Sequence, residues 1–169
     1  MTARLPQTPS KSGTVLDRAA VAEAIELLGI EHHVEIRFVA SKWTGGTHRT
    51  KPVVEDGPDG RPVVTYKHAI TLRTTASADR TSRSLWHELT HAMQCEKYPK
   101  PSDFDWAYAN ETRYQGGGDP GYTNNRFEVE ARAHESLSED LRLTKITAHE
   151  QALAAIDAAL ALEAEEALR

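Results

Sequence analysis

Several absences bound this chain before any motif is read. One cysteine in 169 residues rules out an internal disulfide, as expected of a protein kept in a reducing compartment. No apolar run approaches the roughly 18 residues of a membrane-spanning helix. The opening Met1-Thr2-Ala3-Arg4-Leu5-Pro6 lacks the apolar core of a signal peptide, so the expected location is cytoplasmic, with no membrane partner. Positive charge is not in excess: 20 Lys+Arg against 25 Asp+Glu leave a net charge of −5, and no global field draws the chain to nucleic acid. The one basic stretch, Lys42 to Lys51 with Trp43 inside it, reads as a solvated hairpin turn before it reads as a contact for nucleic acid or an acidic substrate. Internal repeats are missing too. With 39% apolar and 27% charged residues, the composition suits one domain with a real core. That domain is expected over residues 14–169, behind a Pro/Ser/Thr-rich and disordered tail at 1–13.

What is present centres on His87-Glu88-Leu89-Thr90-His91. Two imidazoles four positions apart share one helix face, about one turn from each other, and can reach a single cation. A carboxylate beside the first imidazole completes the HExxH pattern, in which the histidines hold zinc and the glutamate works on an activated water. The surroundings favour a helix. Ser77 reads as its N-cap and Asp79 lies in the first turn, where a negative charge suits the dipole. Neither Gly nor Pro interrupts Ala78 to Tyr98, and Pro99 stops the run. Leu85, Leu89, Ala92 and Met93 make an apolar stripe that would half-bury the motif. Cys95 falls one turn beyond His91, where a small buried core residue is the expected role.

A catalytic zinc takes three protein ligands and leaves one position open. The metzincin continuation H-E-x-x-H-x-x-G-x-x-H is excluded, because Gln94 and Lys97 stand at its glycine and histidine. The next carboxylate-rich segment is Asn125 to Glu135, a strong helix former expected to start near Asn124 or Asn125, after the glycine loop Gly116 to Gly121. Glu128 and Glu130 are two positions apart and cannot face the same way. Glu128 is the favoured ligand, since Ala131 one turn on leaves a small-residue surface for close approach to the HExxH helix. His134 is the alternative, and Glu130 and Glu135 stand behind both.

With HExxH on one helix and Glu128-Val129-Glu130-Ala131 on a later one, matching E-x-x-A, the chain from about Ile70 to Leu141 resembles gluzincin-type metallopeptidases in their compact single-domain forms, the minigluzincin and ImmA/IrrE-like proteins. The resemblance implies a zincin-like α+β fold, with zinc on His87, His91 and Glu128 and Glu88 as general base. It implies hydrolysis of peptide bonds in a protein or peptide substrate, with the pKa of the attacking water lowered towards about 7. Two departures stand out: Arg132 occupies the position where larger gluzincins carry an acidic residue, and the stretch from His91 to Glu128 is long. A third histidine at His134 would instead resemble SprT-like proteases, whose Cys-rich zinc ribbon is missing here. A zinc-binding regulatory module with little turnover is the alternative outside enzymology, although a purely structural site has no use for Glu88.

Tyr114 and Tyr122, which flank the glycine loop, and Arg126 are candidate donors to a developing oxyanion, although each reads as an ordinary loop anchor first. The loop itself is either a lid or a plain connector. His68 to Arg73 alternates as a strand, with Arg61 to Tyr66 as its hairpin partner. Ile70 and Leu72 would then lie on a sheet edge able to take a peptide as an added strand. Asp17 to Leu28 reads as an amphipathic helix stopped by Gly29, His33 to Val39 as a strand, and Asp56 to Gly60 as a tight turn. The whole predicts a helix, a small mostly antiparallel sheet and two zinc helices. A final Ala-rich helix over Ile146 to Leu168 packs on them or offers a dimer surface.

Overall fold

The computed structural model describes residues 16–40 and 46–136. The expected N-terminal tail, the start of the basic stretch and the Ala-rich helix at 146–168 lie outside these. Within them the chain is α+β, with five helices around a three-stranded mixed sheet. No helix among the described residues is long and apolar enough to cross a membrane.

Helix α1 spans Arg18–Leu27. Asp17 caps it by accepting from the amide of Ala20 at 3.0 Å, and Gly29, at φ 65°, turns the chain out of it. Its buried residues Val21, Ala24 and Ile25 recur at helical spacing. Strands β1 (Val34–Val39), β2 (Thr47–Asp56) and β3 (Pro62–Arg73) follow. The sheet order is β1-β3-β2, with β1 parallel to β3 and β2 antiparallel to it. Three expectations need correction here, the first being the mostly antiparallel sheet, since one of the two pairings is parallel. Arg61 to Tyr66 does not pair with His68 to Arg73, because both belong to the single strand β3: nothing between Tyr66 and His68 can make a turn. The hairpin partner is β2, joined through the tight turn that closes with Gly57 N–H on Arg61 O at 2.8 Å. Ile70 and Leu72 therefore lie on the central strand, Ile70 opposite both Ile36 and His48, and no added peptide can pair with them. Among the described residues the free edges belong to β1 and β2.

Helix α2, Ala78–Glu96, is capped by Ser77 Oγ, which accepts from the Arg80 amide at 3.3 Å, and has Asp79 in its first turn. With α1 it covers one face of the sheet. Val21, Ile25, Val34, Ile36, Ile70, Leu72, Leu85, Leu89 and Ala92 make the shared core. Helix α3, Pro101–Tyr114, was not foreseen. Phe104 is its one fully buried residue, so it lacks the apolar stripe by which helices announce themselves. The cues present were Pro101 in the first turn, Asp103 beside it and Gly116 beyond the end. Part of the glycine loop is helical as well: Gly116, Gly117 and Gly118 have positive φ, and α4 runs over Gly118–Asn124. Helix α5 occupies residues 126–136. Asn125 caps it, its Oδ1 accepting from the Phe127 amide at 2.9 Å, while its Nδ2 donates to Tyr108 O and Thr112 Oγ1 on α3. Cys95, Phe104 and Phe127 form a second small core where α2, α3 and α5 meet. Cys95 is fully buried, and burial pushes its thiol up to about 12, so it is the inert packing residue expected.

Candidate metal centre

Helix α2 presents His87 and His91 on one face, and α5 brings Glu128 against them. The two Nε2 atoms lie 3.1 Å apart. Glu128 Oε2 is 3.2 Å from His87 Nε2, and Oε1 is 3.2 Å from His91 Nε2. An ion with bonds of about 2.0–2.1 Å to nitrogen and oxygen holds tetrahedral ligands about 3.3 Å from one another, so the two imidazole nitrogens and the carboxylate oxygen nearest each stand at the spacing of one metal shell. Glu128 is 2% exposed, and its Oε2 has no hydrogen-bond partner. A buried carboxylate oxygen left in that state is costly. A cation between the three side chains removes the cost, and the residues present fit zinc.

The outer contacts prepare the same outcome. His87 Nδ1 donates to Glu135 Oε1 at 2.6 Å. Gln94 uses its amide nitrogen to donate to Phe127 O and Glu130 Oε2, both at 2.9 Å, so its oxygen is the acceptor for His91 Nδ1 at 2.8 Å. Both imidazoles thus carry their proton on Nδ1, which leaves Nε2 with a lone pair for a metal. Tyr108, from α3, donates to Glu128 Oε1 at 2.6 Å. Burial works against ionisation of Glu128, yet His87, His91 and Tyr108 hold its carboxyl well below the usual range. Burial together with that bond to Glu128 raises the Tyr108 hydroxyl.

The other sequence candidates fall elsewhere. His134 Nδ1 bonds Thr90 Oγ1 at 2.9 Å and does not join the trio. Glu130 holds Gln94, with Lys97 at 3.5 Å. Glu135 is the partner of His87, so it supplies the outer carboxylate that the sequence lacks at Arg132. Arg132 itself reaches Glu128 Oε2 at 3.8 Å and bonds Thr123 O. Of the three expected oxyanion donors only Tyr122 lines the cavity at the trio. Tyr114 is 85% exposed, and Arg126 stacks over Phe127 at 4.8 Å.

Glu88 is buried beside the trio, and burial pushes its carboxyl up to about 7 against the pull of His87 and His91. Its ceiling is Gly46. A Cβ there would stand 2.8 Å from Glu88 Cγ and 3.0 Å from its Oε1, so only glycine lets the start of β2 pass this close. A cavity of about 560 Å³ runs from Gly46 and the β2 residues Thr47 to Thr50 on one side to the trio, Tyr108 and Tyr122 on the other. A further cavity of about 600 Å³ shares Gly46, His87, Glu88 and Tyr122 with it. Glu88 therefore sits between two open spaces, under the free edge of β2. Gly46, Tyr108 and Gln94 were not assigned to the site from sequence, because their roles depend on which elements pack together, and Glu135, named there only as a remote ligand candidate, holds His87 instead. Comparison with protein-family models, curated proteins and solved structures finds no match to this chain.

Proposed function

We propose that this chain is a zinc-dependent metallopeptidase of the small gluzincin kind, with a zincin-like arrangement of α2 and α5 and a protein segment as substrate. The observation that carries the reading is the convergence of His87, His91 and Glu128 at metal-shell spacing with Glu88 buried alongside. Zinc in that shell supplies a Lewis acid for the scissile carbonyl and lowers the pKa of a water molecule. The rest falls to the protein. Glu88 accepts a proton from the attacking water as its oxygen bonds to the carbonyl carbon, and delivers that proton to the departing amine nitrogen when the C–N bond breaks. Tyr122 is the hydroxyl available to the oxyanion.

The substrate lies extended along β2, whose edge next to the cavity is free among the described residues. Thr47 to Thr50, at about 3.3 Å per residue, offers pairing for three or four substrate residues. Open space on both sides of Glu88 suits cleavage within a chain. A purely structural zinc site would need no carboxylate at this place, and this favours turnover over a binding module.

Metal removal tests the reading. The purified chain is expected to bind zinc in the trio and to hydrolyse an unfolded protein. A chelator should abolish both, and added zinc should restore them. Failure of the trio to take up metal under saturating zinc, read as equal zinc content in wild type and His91→Ala, would sink the proposal. Gly46→Val gives a second expectation. A side chain there displaces Glu88 but leaves the three donors in place, so zinc content holds while turnover drops by about 10²-fold, the cost of misplacing a reacting group by an ångström.

A further inference from the structure

A second group of side chains able to hold a metal lies at the C-terminal end of α2, between one and two turns beyond His91. His32 precedes β1, His68 is on β3 and Glu96 closes α2. Their donor atoms all fall within 4.8 Å of one another. His32 Nδ1 is 2.8 Å from Glu96 Oε2, and His68 Nε2 is 3.1 Å from Glu96 Oε1. We propose that His32, His68 and Glu96 form a second cation site, taking a divalent transition ion such as zinc independently of the trio on α2 and α5.

Three features argue for it. Two imidazole nitrogens and a carboxylate oxygen are a borderline-soft donor set suited to zinc. Each donor is also braced through its other atoms, as ligand side chains are. Glu96 Oε1 accepts from the backbone amides of Glu31 at 3.1 Å and His32 at 2.8 Å, which fixes the carboxylate and leaves Oε2 turned to His32. His68 is wholly buried, its Nε2 donating to Glu96 Oε1 at 3.1 Å and its Nδ1 2.8 Å from His48 Nε2, so an ion takes Nε2 when the ring proton moves to Nδ1 and His48 Nε2 accepts it. The His32 ring is stacked on Tyr66, with centroids 3.8 Å apart. Finally, His32 is 33% exposed and lines a surface cavity of about 330 Å³, so an ion can reach its ring from solvent. The three residues come from segments far apart in the chain, so an ion here would staple the start of β1 and the end of α2 to the sheet.

Zinc stoichiometry of the full chain decides the matter, measured by competition with a chromophoric chelator and by native mass spectrometry. Wild type is expected to bind one more equivalent than either His32→Ala or Glu96→Gln, and His87→Ala to lose a different single equivalent. A His32→Ala chain that binds as much zinc as wild type overturns the proposal and leaves the cluster as a hydrogen-bonded brace. His32 is the informative position, being partly exposed and outside regular structure. Should it fail to fold, loss of all bound zinc in His87→Ala is equally fatal, because the second site should keep its equivalent there. Retention of one equivalent by His87→Ala separates this site from the trio, so failure of either leaves the other standing.

Discussion

Replacing Glu88 by glutamine is expected to cut hydrolysis of a protein substrate by about 10²–10⁴-fold, the range general acid–base catalysis contributes, while zinc stays bound. The two outcomes part because Glu88 is beside the donors and not one of them. Glutamine has the same length and shape, so it fits beneath Gly46 as the native side chain does, but its amide cannot take a proton from water. Folding should hold or improve, since the change replaces a carboxyl in a buried position by a neutral group of equal volume. The measurement pairs turnover on an unfolded protein with zinc content of the same samples. Full activity in Glu88→Gln would refute the assignment of the base, whatever the metal does.

Glu128→Ala has the larger effect on the metal itself. It removes one of three donors and leaves His87 and His91 with solvent. Loss of an outer partner of a metal ligand already weakens binding about 10–100-fold, which is the magnitude expected for Glu135→Gln. Loss of the ligand should exceed it. The same change deprives the Tyr108 hydroxyl of its acceptor at 2.6 Å, so the chain loses stability as well as affinity. His134→Ala is the control: His134 bonds Thr90, and its removal should leave zinc affinity within a few-fold of wild type. A competition titration that shows the reverse order, with His134→Ala the weaker binder, would return the third position to histidine.

These residues also indicate what a sequence can and cannot disclose. Ser77, the HExxH spacing and the apolar stripe of α2 are local, and each acts within a turn or two of its own position, so the helix and its motif were legible. The Asn125 start of α5 was legible for the same reason. Strand pairing was not: β3 looks like two strands when polarity alone is followed, and only the pairing of Thr47–Asp56 along its length shows a single one. Helix α3 hides because it buries one residue, and with it went Tyr108. The long stretch between His91 and Glu128 then loses its oddity, since α3 and α4 fill it. Arg132 looked like a missing acid. It is the i+4 partner of Glu128, and Glu135, one turn further along α5, holds His87.

Gln94 links two processes that are usually considered apart. Its amide ties His91 to the backbone and side chain of α5, and Glu128 and Glu135 reach the histidines from that same helix. An ion at the trio can bind only while α5 is docked, so part of its binding free energy is spent on holding α5 in place. If zinc occupies the trio, its supply and the attachment of α5 are one equilibrium. Cells poor in the metal would hold a chain whose last described helix is loosened and open to degradation, so abundance of the protein, and not only its activity, would follow the metal.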